Sequence, residues 1–570
     1  MRHLINNNQA HDIFLRLGLG KFGEIPTLCR NCERGGVELN QPDSKPEYQL
    51  QGCLNWASFF SVPCVSRGGV FRLSAQSLDW NVQNLQLPTD AQQPLAYDAC
   101  PGLFYPTFAK DGRLIRIRTP GGRLSSQQAR VLAALGDRWG KPLQVTNRAN
   151  LQIRGLSAEI PPEVLNQLQE SGLAARLSAV DHLRNIMASP TAGIDTAQII
   201  DTTPFVKELD EYLFSHLELA ELSAKFSVGF DGGEQVAIAS HNDILLRAID
   251  LNGVHFCLYL TGVPIGIVKP EECIGAIASL AKVYLESSQN YVGVRKLRLK
   301  QLIQDIGVQE LCDRAQLSLL PIPTEQISLR SQIHAHLDIH TQRQSHLSYV
   351  GISLPLGRLE AWQLQGLADL VDEWGDRTLR LTPWQNLLIP NVPNAVLPQV
   401  QQQLQRLDLH HSSTYIYSGL IACAGNTCAS SATDTQSDAL NLVEYLDKHI
   451  TLDLPITIHF SGCPKSCAHH GASDLTLVGT WVEQREAYQI YVGEGNRFEI
   501  SASDRPFGRE LDSGIFPEHV SSRILRLLQI YQQRRTSPDQ SFRTFINQYS
   551  IAQLRQWCDA PQCDAFQGEG

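Results

Sequence analysis

Four cysteines, Cys423, Cys428, Cys463 and Cys467, stand in two close pairs, CAGNTC and CPKSC. Thiolates bind soft metals, and four of them complete either a tetrahedral zinc site or an iron–sulfur cluster. Zinc ribbons favour two residues between paired cysteines, whereas the intervals here are four and three. That wider spacing lets each pair wrap a bulky inorganic cube instead of pinching a single ion. Between the pairs, PITIHF alternates Ile456, Ile458 and Phe460 as a half-buried strand does, delivering Gly462 and Cys463 at its end. A 4Fe–4S cluster is the leading expectation, zinc the second, and four unrelated core thiols the third.

The elements that position these thiols belong to a duplicated chain. IRTPGGRLSSQQARVLAALGDRWGKPLQVTNRANLQIRG, from Ile117, is echoed by ISLPLGRLEAWQLQGLADLVDEWGDRTLRLTPWQNLLIPN, from Ile352. Pro120, Gly122, Arg123, Leu124, Trp139 and Gly140 match Pro355, Gly357, Arg358, Leu359, Trp374 and Gly375 in one register. After a one-residue insertion, Thr146, Asn150, Leu151 and Ile153 match Thr382, Asn386, Leu387 and Ile389. In the first copy Ile115 and Ile117 alternate with Arg116 and Arg118, as on a strand with one buried face. Pro120, Gly121 and Gly122 turn the chain. Ser125 and Gln128 make a capping box, Val131, Leu132, Leu135 and Trp139 keep helical spacing, and Gly140 stops the helix. LQVT and LQIRG supply two further strands. Strand, helix, strand, strand is the order of a ferredoxin-like α+β half-domain.

The copies diverge in complementary ways. Arg116, Arg118, Arg148 and Arg154 of the first correspond to Gly351, Ser353, Trp384 and Pro390 of the second. Conversely, SGCPKSC has no cysteine-bearing counterpart in KFSVGFDGG. Arginines on adjacent strands suit a ligand with several carboxylates, since guanidinium grips carboxylate bidentately. Any one of them alone reads as solvated surface. Their joint loss from the sister copy points to a site.

With 570 residues the chain holds several domains. Charged residues are 19% and the net charge is −10, which argues against a nucleic-acid partner. MRHLINNNQAH has no apolar leader, and GVHFCLYLTGVPIGIV is too short and glycine-broken to span a bilayer. These features lead to the expectation of a cytoplasmic protein with no membrane partner and reduced cysteines.

The PGG turn, TNRANLQIRG, Arg184 with Asn185, the KFS segment and the four cysteines together resemble the nitrite and sulfite reductase superfamily. The resemblance implies a pseudo-twofold α+β fold, with duplicated ferredoxin-like half-domains and two nitrite/sulfite-reductase-type α/β modules. It also implies a tetrapyrrole beside a 4Fe–4S cluster. The corresponding boundaries are an N-terminal extension (1–95), half-domain (96–175), module without cluster cysteines (176–330), second half-domain (331–411), cluster module (412–510) and C-terminal helices (511–570). Residue by residue, Cys423, Cys428, Cys463 and Cys467 match the cluster ligands. Arg118, Arg184 and Lys225 match the basic, catalytic residues of the substrate pocket, while Arg148 and Arg154, with Arg116 on the same strands, match positions that grip tetrapyrrole carboxylates. Two departures stand out: the first cysteine pair is one residue shorter than the reductase pattern, and Ser227 stands where reductases place a lysine or asparagine.

More narrowly, CPGLFYPTFAKDGRLIRIRTPGG and SGCPKSCAHHGASDLTLVG resemble the precorrin-3B synthases, the oxygen-using branch. That resemblance implies an oxidoreductase, a monooxygenase of aerobic cobalamin synthesis, acting on precorrin-3A with dioxygen and an external electron donor. It also implies a mononuclear non-haem iron, for which His469 and His470 are candidate ligands. The alternatives are a sirohaem-dependent nitrite or sulfite reductase and a non-enzymatic, metal-stapled or redox-sensing protein. Elsewhere, Cys29, Cys32, Cys53 and Cys64 could form a zinc knuckle in a turn-rich extension, Cys558 and Cys563 read as bystanders, and VSSRILRLLQIYQQRR reads as a core-packing amphipathic helix.

Overall fold

The computed structural model describes residues 64–66, 69–71, 100–238, 242–291, 297–322, 334–469, 473–493 and 507–560. The chain forms two units, 1–91 and 92–570. In the first, Cys64–Ser66 and Gly69–Phe71 pair as an antiparallel ribbon. Cys29, Cys32, Cys53, Cys563 and His470 lie outside the described residues.

The larger unit is α+β, and its duplication is built as the repeat implies. In the first half-domain, strands Gly112–Ile117, Leu143–Val145 and Leu151–Leu156 are antiparallel neighbours, with Thr107–Ala109 at one edge. The helix Ser126–Trp139 starts on the Ser125–Gln128 capping box and ends at Gly140 in the left-handed conformation. Strands Asp338–Thr341, Leu347–Ile352, Thr378–Leu381 and Leu387–Pro393 and helix Ala361–Trp374 repeat the plan.

What the repeat does not show is that the halves exchange strands. Arg123–Ser125, just after the PGG turn, pairs with Thr378–Leu381 of the other half, and Arg358–Leu359 pairs with Leu143–Val145 of the first. The glycines permit this crossing. Gly122 has φ 69°, and a Cβ there would lie 2.5 Å from the Leu381 carbonyl. Gly357 mirrors it, with φ 67° and 2.9 Å to the Val145 carbonyl. Leu124 and Leu359, carried across on these strands, are both buried in one apolar core shared by the two half-domains.

Each module is a five-stranded sheet of the same topology. Ile186–Ala188, Val228–Asp231 and Ile244–Asp250 run parallel, and Val254–Leu260 and Val263–Val268 follow antiparallel. Leu420–Ala422, Ile458–Ser461 and Leu475–Val482, then Arg485–Val492 and Arg509–Ile515, repeat that order. The expected boundary at 510/511 falls inside this last strand. Helix Pro517–Arg534 buries Ile524, Leu527, Leu528 and Tyr531 in the same core as Phe460, together with Phe545 and Leu554. Among the described residues no helix is long and apolar enough to cross a membrane.

Candidate active site

The alternation Ile456, Ile458, Phe460 buries its residues in the module core, and strand Ile458–Ser461 ends just before Gly462 and Cys463. Cys423 leaves the neighbouring parallel strand at the same end, its N–H donating to the Phe460 carbonyl at 3.0 Å. The Gly462 N–H donates to Cys423 Sγ at 3.1 Å. A side chain at Gly462 would strike Ser431, its Cβ falling 1.7 Å from that hydroxyl oxygen. All four thiols are free of disulfides. The Cys467 thiol is pushed up by burial and then by the neighbouring Cys463, Cys423 and Cys428. Cys423, despite the shortened spacing, therefore stands with the other three. Four thiolates at the ends of two neighbouring strands are the donor set of an iron–sulfur cluster or a zinc ion.

The first half-domain leans on these cysteine loops. Asn147, in the turn that carries Arg148, donates from Nδ2 to the Cys467 carbonyl at 3.3 Å. Arg154 forks onto Asp111 with two 3.2 Å bonds and reaches Thr427 Oγ1, beside Cys428, at 2.9 Å. Its guanidinium thus bridges the half-domain to the cluster loop, and its bidentate edge is taken by Asp111. Arg116 sits one position into the strand pairing, opposite Gln152, with its Nε lacking a partner. Burial, then Arg118, with Arg148 and Arg154 behind it, lowers Arg116 to about 10. Arg148 is lowered by burial too, partly offset by Asp243, and among the described residues its guanidinium makes one long 3.5 Å contact, to Asn242. Arg116 and Arg148, buried beside further guanidiniums, fit a polyanionic ligand such as a tetrapyrrole with several carboxylates.

Arg118 follows strand Gly112–Ile117, is 2% exposed, and pairs with Asp181 at 3.8 Å, its Nε and Nη1 having no hydrogen-bond partner among the described residues. Arg184 ends the turn Ser178–Leu183; it forks onto Asp210 at 3.0 and 3.1 Å and donates to the Gly172 carbonyl, leaving Nη1 unpartnered. Lys225 is half-buried in the loop before strand Val228–Asp231. Asn150 donates to Asn185 at 3.2 Å, holding the half-domain against the base of Arg184. Ser227, standing where the reductases place a lysine or asparagine, donates both its N–H and its hydroxyl to Asp243. Its role is to hold that carboxylate. The site therefore joins the entry ends of two strands in the first sheet with the exit ends of two in the second.

Sequence reasoning missed Asn147, Asp111, Thr427, Tyr105 and Asp181. Asn147 lies within the TNRAN turn and Asp181 sits three residues before Arg184, but neither carries a motif of its own. In the second copy the equivalent place is closed by rings. Trp384, at the Arg148 position, stacks on His336 at 4.6 Å, and Asn386 Nδ2 contacts His336 Nε2 at 3.0 Å. Burial holds His336 well below the usual imidazole range. His469 lies edge-on to His459 at 5.6 Å.

Comparison with known proteins decides the affiliation. The profile of the nitrite/sulfite reductase ferredoxin-like half domain matches residues 109–171 and 340–407, and that of the nitrite and sulphite reductase 4Fe-4S domain matches 179–319 and 419–562. The chain belongs to the nitrite and sulfite reductase family. The chloroplastic ferredoxin–nitrite reductase of Zea mays is 30% identical over 431 residues, which span 69% of this chain and 75% of that protein. A sulfite reductase (ferredoxin) of Mycobacterium tuberculosis is 27% identical over 430 residues, 70% of this chain and 75% of the relative. The solved Mycobacterium tuberculosis NirA protein superposes with a TM-score of 0.66 at 24% identity, covering 78% of this chain and 85% of that one, and so shares the fold.

These findings overturn the precorrin-3B synthase expectation. CPGLFYPTF and CAHHGASD are short local likenesses, whereas the likeness to reductases runs through both half-domains and both modules. The monooxygenase activity and the cobalamin assignment fall with it. An oxidoreductase with a 4Fe–4S domain stands.

Proposed function

We propose that the protein is a sirohaem- and 4Fe–4S-dependent reductase of nitrite, supplied with electrons by a small iron–sulfur protein of the ferredoxin kind. The observation that carries this reading is the buried Arg118, ion-paired to Asp181 at 3.8 Å yet with Nε and Nη1 lacking a hydrogen-bond partner among the described residues, in an arginine cluster whose Arg154 reaches the cysteine loop. A buried cation with donors to spare is a receptor for a small anion. The relatives' names supply the two candidate anions and the electron donor. Nitrite is favoured over sulfite because Ser227 adds no positive charge and is itself spent on Asp243. A doubly charged anion would ask for more cations than Arg118, Lys225 and the largely committed Arg184 provide.

Cys423, Cys428, Cys463 and Cys467 would hold the cluster, and Arg116 and Arg148 would meet tetrapyrrole carboxylates. Arg154, already engaged with Asp111 and Thr427, keeps the cluster loop against that half-domain. When bound, the sirohaem supplies the redox-active, anion-ligating iron. The chain's own residues do the rest. Arg118 and Lys225 draw the anion in and offset its charge, Arg184 offers its remaining N–H, and the surrounding burial strengthens each of these interactions by excluding water.

Anaerobically purified protein is expected to show sirohaem and cluster absorbance and to oxidise a reduced donor when nitrite is added, with ammonium as the product. Protein reconstituted with both groups that leaves nitrite and sulfite unreduced would refute the reading.

A further inference from the structure

Around Arg118 the described residues leave its own Nε and Nη1 and Asp181 Oδ2 buried with no hydrogen-bond partner, and the Tyr105 O–H with no acceptor. The Arg118 and Asp181 side chains are 2% and 1% exposed, and their closest approach is 3.8 Å. That is beyond hydrogen-bond reach, and native folds rarely bury charged groups with their bonding capacity unspent. The other groups facing Asp181 are largely committed, although Arg184 Nη1 has no hydrogen-bond partner among the described residues. Its Oδ1 accepts from the Ala175 N–H at 2.9 Å, while Arg184, at the end of the same turn, is forked onto Asp210 of helix Thr203–Ser215. His182 meets Tyr105 edge-on, with ring centroids 6.2 Å apart, and its backbone hydrogen-bonds the phenol oxygen.

A buried ion pair with one trapped water is the plain structural reading. It leaves the surplus of donors unexplained: two N–H groups and one phenol converge where a single acceptor group faces them. A small oxoanion is the complement of that set. Its negative charge would then lie beside the Asp181 carboxyl, and two anions cannot share so buried a place unless one is protonated.

We propose that Tyr105 and Asp181 complete the anion niche of Arg118, and that nitrite enters it together with one proton, which Asp181 carries. The inference rests on the reductase reading and adds to it two residues and a proton linkage. Burial lifts the Asp181 carboxyl above its ordinary value against the pull of Arg118, the Ala175 N–H and Arg184, with Asp210 pushing the same way as burial. Burial also lifts the Tyr105 phenol, which stays a donor. The sign follows: anion affinity is full while Asp181 is protonated and declines as the pH rises through its titration.

The test is the affinity of the holoenzyme for nitrite, measured by calorimetry from mildly acidic to mildly alkaline pH, where nitrite keeps one charge. Affinity should fall roughly tenfold per pH unit beyond the Asp181 transition. Asp181→Asn keeps the Ala175 contact and a neutral side chain, so it should bind nitrite with no such decline. Tyr105→Phe removes the free O–H together with one bond from the His182 backbone, so it should keep a sharp unfolding transition, weaken binding roughly tenfold and keep the pH slope. A slope that survives in Asp181→Asn, or unchanged affinity in Tyr105→Phe, overturns the inference while the reductase reading stands. Binding of neither nitrite nor sulfite at any pH would remove both.

Discussion

At the scale of single residues the chemistry is divided between thiols that act together and a buried guanidinium with hydrogen-bonding capacity left over. Cys463 ends a strand whose other face is core, so its position is set by packing and does not depend on the metal. Cys463→Ser should therefore fold, yet lose the cluster's absorbance and all reductase activity. Cys558, buried against the C-terminal helices with its thiol pushed up to about 11 by burial, is inert by the same logic. Cys558→Ser should retain iron, sulfide and activity. Iron and sulfide assays on both variants decide it, and full cluster content in Cys463→Ser would end the ligand assignment.

At the scale of elements, the turns Pro120–Gly122 and Pro355–Gly357 are the devices that matter most, because each throws a strand into the sister half-domain. Gly140 gives an internal comparison: its φ is also positive, 57°, but a Cβ there meets nothing within 4 Å. Gly140→Ala should cost about 1 kcal/mol of backbone strain alone. Gly122→Ala carries the same strain and must also displace the Leu381 carbonyl, so its loss should be clearly larger, about 2 kcal/mol or more. Thermal unfolding of the two variants measures the difference. Equal losses would mean that the close approach to Leu381 relaxes without cost.

At the scale of the whole molecule, strand exchange makes the two half-domains one cooperative body. Leu124 and Leu359 belong to a core that neither half completes alone. Residues 92–320 expressed by themselves should leave Arg123–Ser125 without its partner strand and expose half of that core, giving aggregated or unstable protein. Co-expression with 321–570 should restore folded material. A 92–320 fragment with a sharp unfolding transition would show that the exchange is dispensable.

The duplication, the half-domain elements and the four cysteines were legible in the chain because each rests on local pattern. A helix starts at Ser125 for reasons contained within four residues, and Cys463 follows an alternation that can be counted. The asymmetry of the arginines was legible too, since the repeat supplied its own control in Ser353, Trp384 and Pro390. Local likeness failed in CPGLFYPTF and CAHHGASD, where short segments suggested a narrower chemistry than the whole length supports. Arg154 illustrates what local pattern cannot reach. Its strand position is readable, but only folding brings Asp111 and Thr427 to its fork. The same holds for Arg118 and Asp181, which are far apart along the chain and meet only when folding buries both. Spacing determines which residues share a strand face. Desolvation and long-range contact, which decide whether a charge is spent or left to receive a ligand, exist only in the packed structure.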